Sequence, residues 1–131
     1  MRRSRAIAAR YVQAFAPLAA AGTVQLPVLS PDAESNGHVF HLLLPSAHSA
    51  DELIAALARA RIDARRHFVP LHRSAYAQRA GFATRRLPVT ESVAARLVRL
   101  PIYPSLTDAQ QQRVIEAIVR ALCAEPSLST I

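Results

Sequence analysis

Seven residues, HVFHLLL from His38 to Leu44, carry apolar side chains on both faces of an extended chain, a pattern that belongs inside a sheet rather than at its rim. A second β-type run, Ile62–Phe68, halts at Pro70. Between them, Ser49-Ala-Asp-Glu52 has the form of a capping box, in which the serine hydroxyl accepts from the backbone three residues on and the glutamate reaches back. The helix that follows turns Leu53, Ile54 and Leu57 inward and sets Arg59 and Arg61 at its negative end. A strand, a helix and a strand in that order commit the middle of the chain to a sheet with a helix on it. Val24–Leu29 is expected as a third strand, kept to an edge by Pro27.

The flanks read as scaffold for this centre. Residues 3–16 place Ile7, Ala8, Tyr11, Val12 and Phe15 on one helical stripe with arginines opposite, and the helix should end near Pro17. Ser30–Gly37 is turn-rich, and Asn36 before Gly37 is first of all a turn residue. Past Pro70, Arg73–Ala80 suits a short helix closed by Gly81, and Thr84–Pro88 a loop. Thr90 is placed to cap a helix carrying Val93, Leu97 and Val98 and stopping before Pro101. Pro101-Ile-Tyr-Pro104 must be extended, because each proline disfavours helix in the residue before it. Thr107-Asp-Ala-Gln110 is a second capping box, opening a helix that buries Val114, Ile115, Ile118 and Leu122. The expectation is one α/β (α+β) domain over residues 1–124, with a leading helix at 1–18, about three mostly antiparallel strands, and a loose tail at 125–131.

A chain of 131 residues, 51% of them hydrophobic, can bury a core without disulfides. Its single cysteine, Cys123, has no partner, which fits a reducing cytoplasm, and its expected role is a small buried hydrophobe. Arg10 and Gln13 interrupt the N-terminal apolar residues, so that stretch reads as an amphipathic helix and not a secretion signal. No run reaches the length of a membrane span. The formal charge of +7 comes from sixteen arginines spread along the chain, with no lysine. Without basic and aromatic residues interleaved, or a recognition-helix signature, nucleic acid is disfavoured as a partner, and a phosphorylated small molecule suits the arginines better. Three glycines leave no material for a dinucleotide-type phosphate cradle.

His67 and His72 lie five residues apart across Pro70, so no regular periodicity puts them on one face. A metal site would need a third ligand from Asp63, His38 or His41, and none is assigned. Both histidines suit hydrogen bonding to a phosphate or hydroxyl at a cleft, and both equally suit a satisfied position at a strand end. His38 and His41 should face opposite sides of their strand, as should the adjacent Arg65 and Arg66. No nucleophile–histidine–acid grouping or carboxylate pair marks a hydrolase.

The order of motifs is more specific than any one of them. Asn36-Gly-His38-Val-Phe40, Asp51-Glu52-Leu53 and His67-Phe-Val-Pro70-Leu-His72 are followed by Tyr76, Gly81-Phe82, Leu87-Pro-Val-Thr-Glu91, Leu100-Pro-Ile-Tyr-Pro104 and Leu106-Thr-Asp108. From the first helix to Leu122 this series resembles the small C-terminal domain of the DegT/StrS-type sugar-nucleotide aminotransferases, pyridoxal-phosphate (PLP) enzymes of fold type I. The resemblance implies transfer of an amino group onto a keto sugar carried on a nucleoside diphosphate. It also implies a substrate-side role for His67 first, then His72, with Asn36 and His38 behind them. The family's Schiff-base lysine, its acid for the pyridine nitrogen and its phosphate cup belong to a larger N-terminal domain, and a chain without lysine has no residue for that Schiff base. No cofactor is therefore assigned to this chain, although PLP is implied for a full-length member. The opening Met-Arg-Arg-Ser-Arg falls where a family member enters its long interdomain helix, which suggests a truncated or split product, or a domain used alone. The expected partner is a large PLP-binding domain in trans or a second copy, with a nucleotide sugar as ligand. The alternative is a stand-alone, non-catalytic module. A detached domain should expose an apolar face, expected on the first helix at Tyr11 and Phe15.

Overall fold

The computed structural model describes residues 2–28, 32–82 and 86–123. The expected tail 125–131, Leu29 of the expected third strand and part of the Thr84–Pro88 loop lie outside them. In chain order the elements are α1 (Arg2–Ala20), β1 (Phe40–Leu43), α2 (Ala47–Arg59), a 3-10 turn (Leu71–Arg73), α3 (Ala75–Arg79), α4 (Pro88–Arg96), β2 (Leu97–Leu100) and α5 (Asp108–Cys123). Strands β1 and β2 pair antiparallel with Phe40 opposite Leu100 and Leu42 opposite Val98. Those four side chains are buried, and α1, α2 and α5 close over them.

The strand–helix–strand centre is present in reduced form. Gln25 bridges Leu43 on one side of the sheet and Arg65 bridges Arg99 on the other, so the two expected outer strands survive as single antiparallel bridges. The missing second full strand comes from a segment read as helix. Leu97 and Val98 leave α4 and enter β2, whose residues alternate half-buried and buried. Four residues, LVRL, satisfy either period, and the free edge of β1 decides the matter by supplying hydrogen-bond partners.

Helix α1 runs through Pro17 to Ala20. Its interior loses one N–H at the proline, but a glycine-closed end compensates. Thr23 donates to the Leu18 carbonyl at 2.9 Å and Gly22, at φ +75°, to Ala19 at 3.0 Å. The buried stripe is Ser4, Ile7, Tyr11, Phe15 and Leu18, while Val12 faces solvent. Tyr11 and Phe15 are thus not an exposed docking face. Both are fully buried, Tyr11 stacks on Phe15 with ring centroids 5.7 Å apart, and its hydroxyl donates to the Pro101 carbonyl at 2.8 Å. Burial raises the Tyr11 pKa, which keeps the phenol neutral.

The caps show where local pattern and packing agree. At α5, Gln110 N–H reaches Thr107 Oγ1 at 3.2 Å and Gln110 Oε1 accepts from Thr107 N–H at 2.9 Å, the reciprocal box expected there. At α2 the cap lies a turn earlier: Ser46 is the N-cap and accepts from Ser49 N–H at 3.0 Å. Pro88, not Thr90, opens α4, since a residue lacking N–H costs least at the first helical position. Cys123, the last residue of α5, is exposed rather than buried, because helical spacing puts it on the face opposite buried Val114 while Leu122 packs against the core. Arginines clamp α1 to α5: Arg3 to Asp108 at 2.6 Å and Arg10 to Gln112 at 2.7 Å. Buried Gln111 donates to the Ile7 carbonyl at 2.8 Å.

Candidate functional site

After Arg65 leaves the sheet the chain has no strand partner and runs extended to Pro70, where φ −50° and ψ 135° turn it into the 3-10 turn. Ser74 then caps α3 by accepting from Ala77 N–H at 3.1 Å. Gly81, at φ +76°, ends that helix, with Phe82 N–H on the Ala77 carbonyl at 2.8 Å. The result is an arm from His67 to Phe82, tied to the rest of the fold just before its start at Arg66 and again at His72 and Arg73.

One carboxylate fastens the arm. Glu91, near the start of α4, accepts from His72 Nε2 at 3.0 Å and Arg73 at 2.8 Å, and also from the backbone N–H of Leu87 at 3.1 Å. Hydrogen bonds from Arg73, His72 and Leu87 hold the Glu91 carboxyl at about 2, well below the usual carboxylate range. Arg66 fastens the other end, donating to Asp51 at 2.6 Å and to the carbonyls of Ala47 and Ala95.

Between these two ties lies a pocket of about 450 Å³ lined by Asp51, Arg66, His67, Pro70, Arg73 and Glu91, among others. Phe68, 77% exposed, and Val69 give it an apolar rim, while Leu71, Tyr76 and Phe82 are exposed further along the arm and Val89 at the start of α4. His67 is exposed, with its ring 4.6 Å from that of Phe68. It can donate to an anion or hydroxyl at the mouth without losing an existing partner.

The four residues singled out by sequence do not converge. His67 lines the pocket. The His72 side chain is only 11% exposed and its Nε2 lies on Glu91, so it shapes the wall from behind. Asn36 accepts from His38 N–H at 2.9 Å, the turn role its position beside Gly37 suggested. Among the described residues, neither Asn36 nor His38 lines the pocket. Glu91, Arg66 and Arg73 do, and none of the three was among the four residues singled out by sequence. Glu91 stood in a quoted motif four residues after Leu87, and that spacing lets a glutamate return to the N–H that opens its own helix. The pocket's cations are guanidiniums, which form no imine. With no lysine in the chain, these residues do not fit PLP as its covalent anchor. No helix among the described residues is long and apolar enough to cross a membrane.

Known proteins resemble this chain over most of its length. The dTDP-3-amino-3,4,6-trideoxy-alpha-D-glucose transaminase of Micromonospora megalomicea subsp. nigra is 37% identical over 117 residues, which are 87% of this chain and 30% of the relative. The Streptomyces venezuelae DesV structure, solved with a ketimine intermediate, superposes with TM-score 0.80 at 35% identity, covering 92% of this chain and 31% of DesV. NtdA of Bacillus subtilis, solved with bound cofactor PMP, gives TM-score 0.76 at 26% identity, covering 92% of this chain and 27% of NtdA. The chain therefore spans about 30% of the length of the relatives it matches. Residues 1–119 match the profile of the DegT/DnrJ/EryC1/StrS aminotransferase family, to which this chain belongs.

Proposed function

We propose that this chain is the substrate-side small domain of a PLP-dependent aminotransferase acting on a nucleotide-linked keto sugar, and that these residues do not transaminate alone. One observation carries the reading: residues 1–119 match the family's profile, yet none of the chain's 131 residues is a lysine. The cofactor, where present, supplies the electron sink for amino transfer. What these residues contribute is position. Glu91 and Arg66 hold the arm, Pro70 sets its turn, and exposed His67 is left to donate to the sugar or its diphosphate. The reading extends to a dTDP-linked sugar, in line with the activity named for the Micromonospora relative.

The apolar rim at Phe68 and Val69, with exposed Leu71, Tyr76 and Phe82 further along the arm, supports assembly with a lysine-bearing PLP domain or with a second copy. It takes the place of the α1 face expected from sequence. The same rim favours the second reading, a non-catalytic module that binds a partner protein or a nucleotide sugar.

Two measurements test the proposal. Mixed with PLP, the chain should give no stoichiometric imine absorbance and no borohydride-trapped adduct at a defined internal residue; a trapped adduct refutes the claim of inactivity alone. In calorimetry with a dTDP-linked sugar, His67→Ala should weaken binding about tenfold. Unchanged binding removes His67 from the site.

A further inference from the structure

A second cavity, of about 340 Å³, lies between the end of α2 and the first half of α5 and shares no lining residue with the His67 pocket. Buried Ile62, Leu106 and Val114 give it an apolar floor. Arg61, Tyr103, Gln110 and Arg113 stand exposed around it.

Helix α2 ends here in a form made for glycine. The Arg61 N–H donates to the Ala58 carbonyl at 2.9 Å and the Ile62 N–H to the Leu57 carbonyl at 2.9 Å, with Arg61 itself at φ 58°. The other positive-φ positions among the described residues are all glycines, Gly22, Gly37 and Gly81. Backbone strain of this kind persists only where the surroundings impose it, and it gathers at ligand sites. What the strained position supplies is a guanidinium on the cavity wall.

Arg113 lies against the same helix end, 3.5 Å from the Ala60 carbonyl, so two guanidiniums flank one cavity. Among the described residues, neither has a carboxylate within ion-pair distance. Asp63, the single carboxylate in the wall, is held by Arg65 at 2.7 Å and does not neutralise them. Gln110 uses its oxygen to accept from Thr107 N–H at 2.9 Å, which leaves its amide N–H groups to donate.

We infer that this cavity binds a small monocarboxylate with an apolar body. The two guanidiniums, with Tyr103 and Gln110 as further donors, suit the oxygens of one carboxylate, and the floor suits an attached ring or short chain. The Asp63 charge in the wall disfavours a ligand carrying two or more negative charges, which separates this site from the phosphate chemistry of the His67 pocket. Both the ligand class and the place are independent of the proposed function.

Calorimetry on the full chain at about 150 mM salt, where diffuse attraction is screened, tests this with phenylacetate. The probe should bind saturably and one-to-one, about tenfold or more tighter than acetate, which lacks the body, and than phenylethanol, which lacks the charge. Arg61→Gln and Arg113→Gln should each weaken it about tenfold. Arg120→Gln, an exposed α5 residue, and His67→Ala should leave it unchanged. Arg61→Gly should lose the same affinity and yet, without ligand, melt above wild type, because the strain goes with the guanidinium. Absence of saturable phenylacetate binding, equal binding of acetate or phenylethanol, or tighter binding of pyrophosphate at this cavity each overturns the inference. So does equal weakening by Arg120→Gln, or no weakening by Arg61→Gln or by Arg113→Gln. Weakening by His67→Ala overturns it because the acid would then occupy the other pocket, and an Arg61→Gly chain that does not melt higher overturns it because Arg61 would then serve the fold. The dTDP-sugar titration of His67→Ala bears on the proposed function alone.

Discussion

Gly37 shows how one residue serves two demands. Its φ of +69° is a backbone state that side chains resist, and a Cβ there would lie 2.7 Å from the backbone carbon of Ser4 on α1. Gly37→Ala should therefore cost roughly 2–4 kcal/mol, strain and overlap together, read as a lowered denaturation midpoint. Arg61 is the opposite case. It sits at φ 58° where the chain leaves α2, the place usually given to glycine. Arg61→Gly should raise stability by about 0.5–1 kcal/mol, the relieved strain less the entropy glycine loses on folding; an unchanged or lower midpoint would mean that Arg61 makes compensating contacts. Asn36-Gly37 was legible as a turn from its composition. That the turn presses against α1, 33 residues away in sequence, was not, because the glycine's second constraint is a distant backbone.

At the scale of elements, the Glu91 carboxylate joins α4 to the arm that carries His67 and His72. Its pKa is depressed to about 2 in the folded chain, against an ordinary value of 4.5. A depressed acid stabilises above its unfolded pKa and loses that contribution as pH falls through the folded one. The stability difference between wild type and Glu91→Gln should thus be constant above about pH 5 and vanish between about pH 4.5 and 2, measured by urea midpoints at each pH. Hydrogen exchange at the Leu87 amide should quicken in the variant, since its acceptor is weakened. The capping box at α5 could be read locally, because both partners lie within four residues. The box expected at Ser49 was displaced to Ser46, and the expected helix at Leu97–Val98 became β2. In each case a local preference was weak enough for a neighbouring element to override it.

Across the whole molecule, one core joins Phe15 and Tyr11 of α1, Phe40 and Leu42 of β1, Leu53 of α2, Val98 of β2 and Ile118 of α5. Phe15→Ala should cost about 3–5 kcal/mol, the lost burial plus the cavity left behind, seen as a large fall in melting temperature. Of the large apolar side chains left exposed among the described residues, Phe68, Val69, Leu71, Tyr76 and Phe82 lie on the arm, against Val12 alone on α1. What the sequence determined by itself was whatever rests on neighbours along the chain: caps, glycine stops, proline breaks, an amphipathic stripe, and a motif order specific enough to show the family. Tertiary structure alone decided which short runs became strands, which apolar face was covered, and which of five histidines meets a pocket. Those outcomes depend on hydrogen bonds and buried area shared between distant segments, and no local window holds both partners.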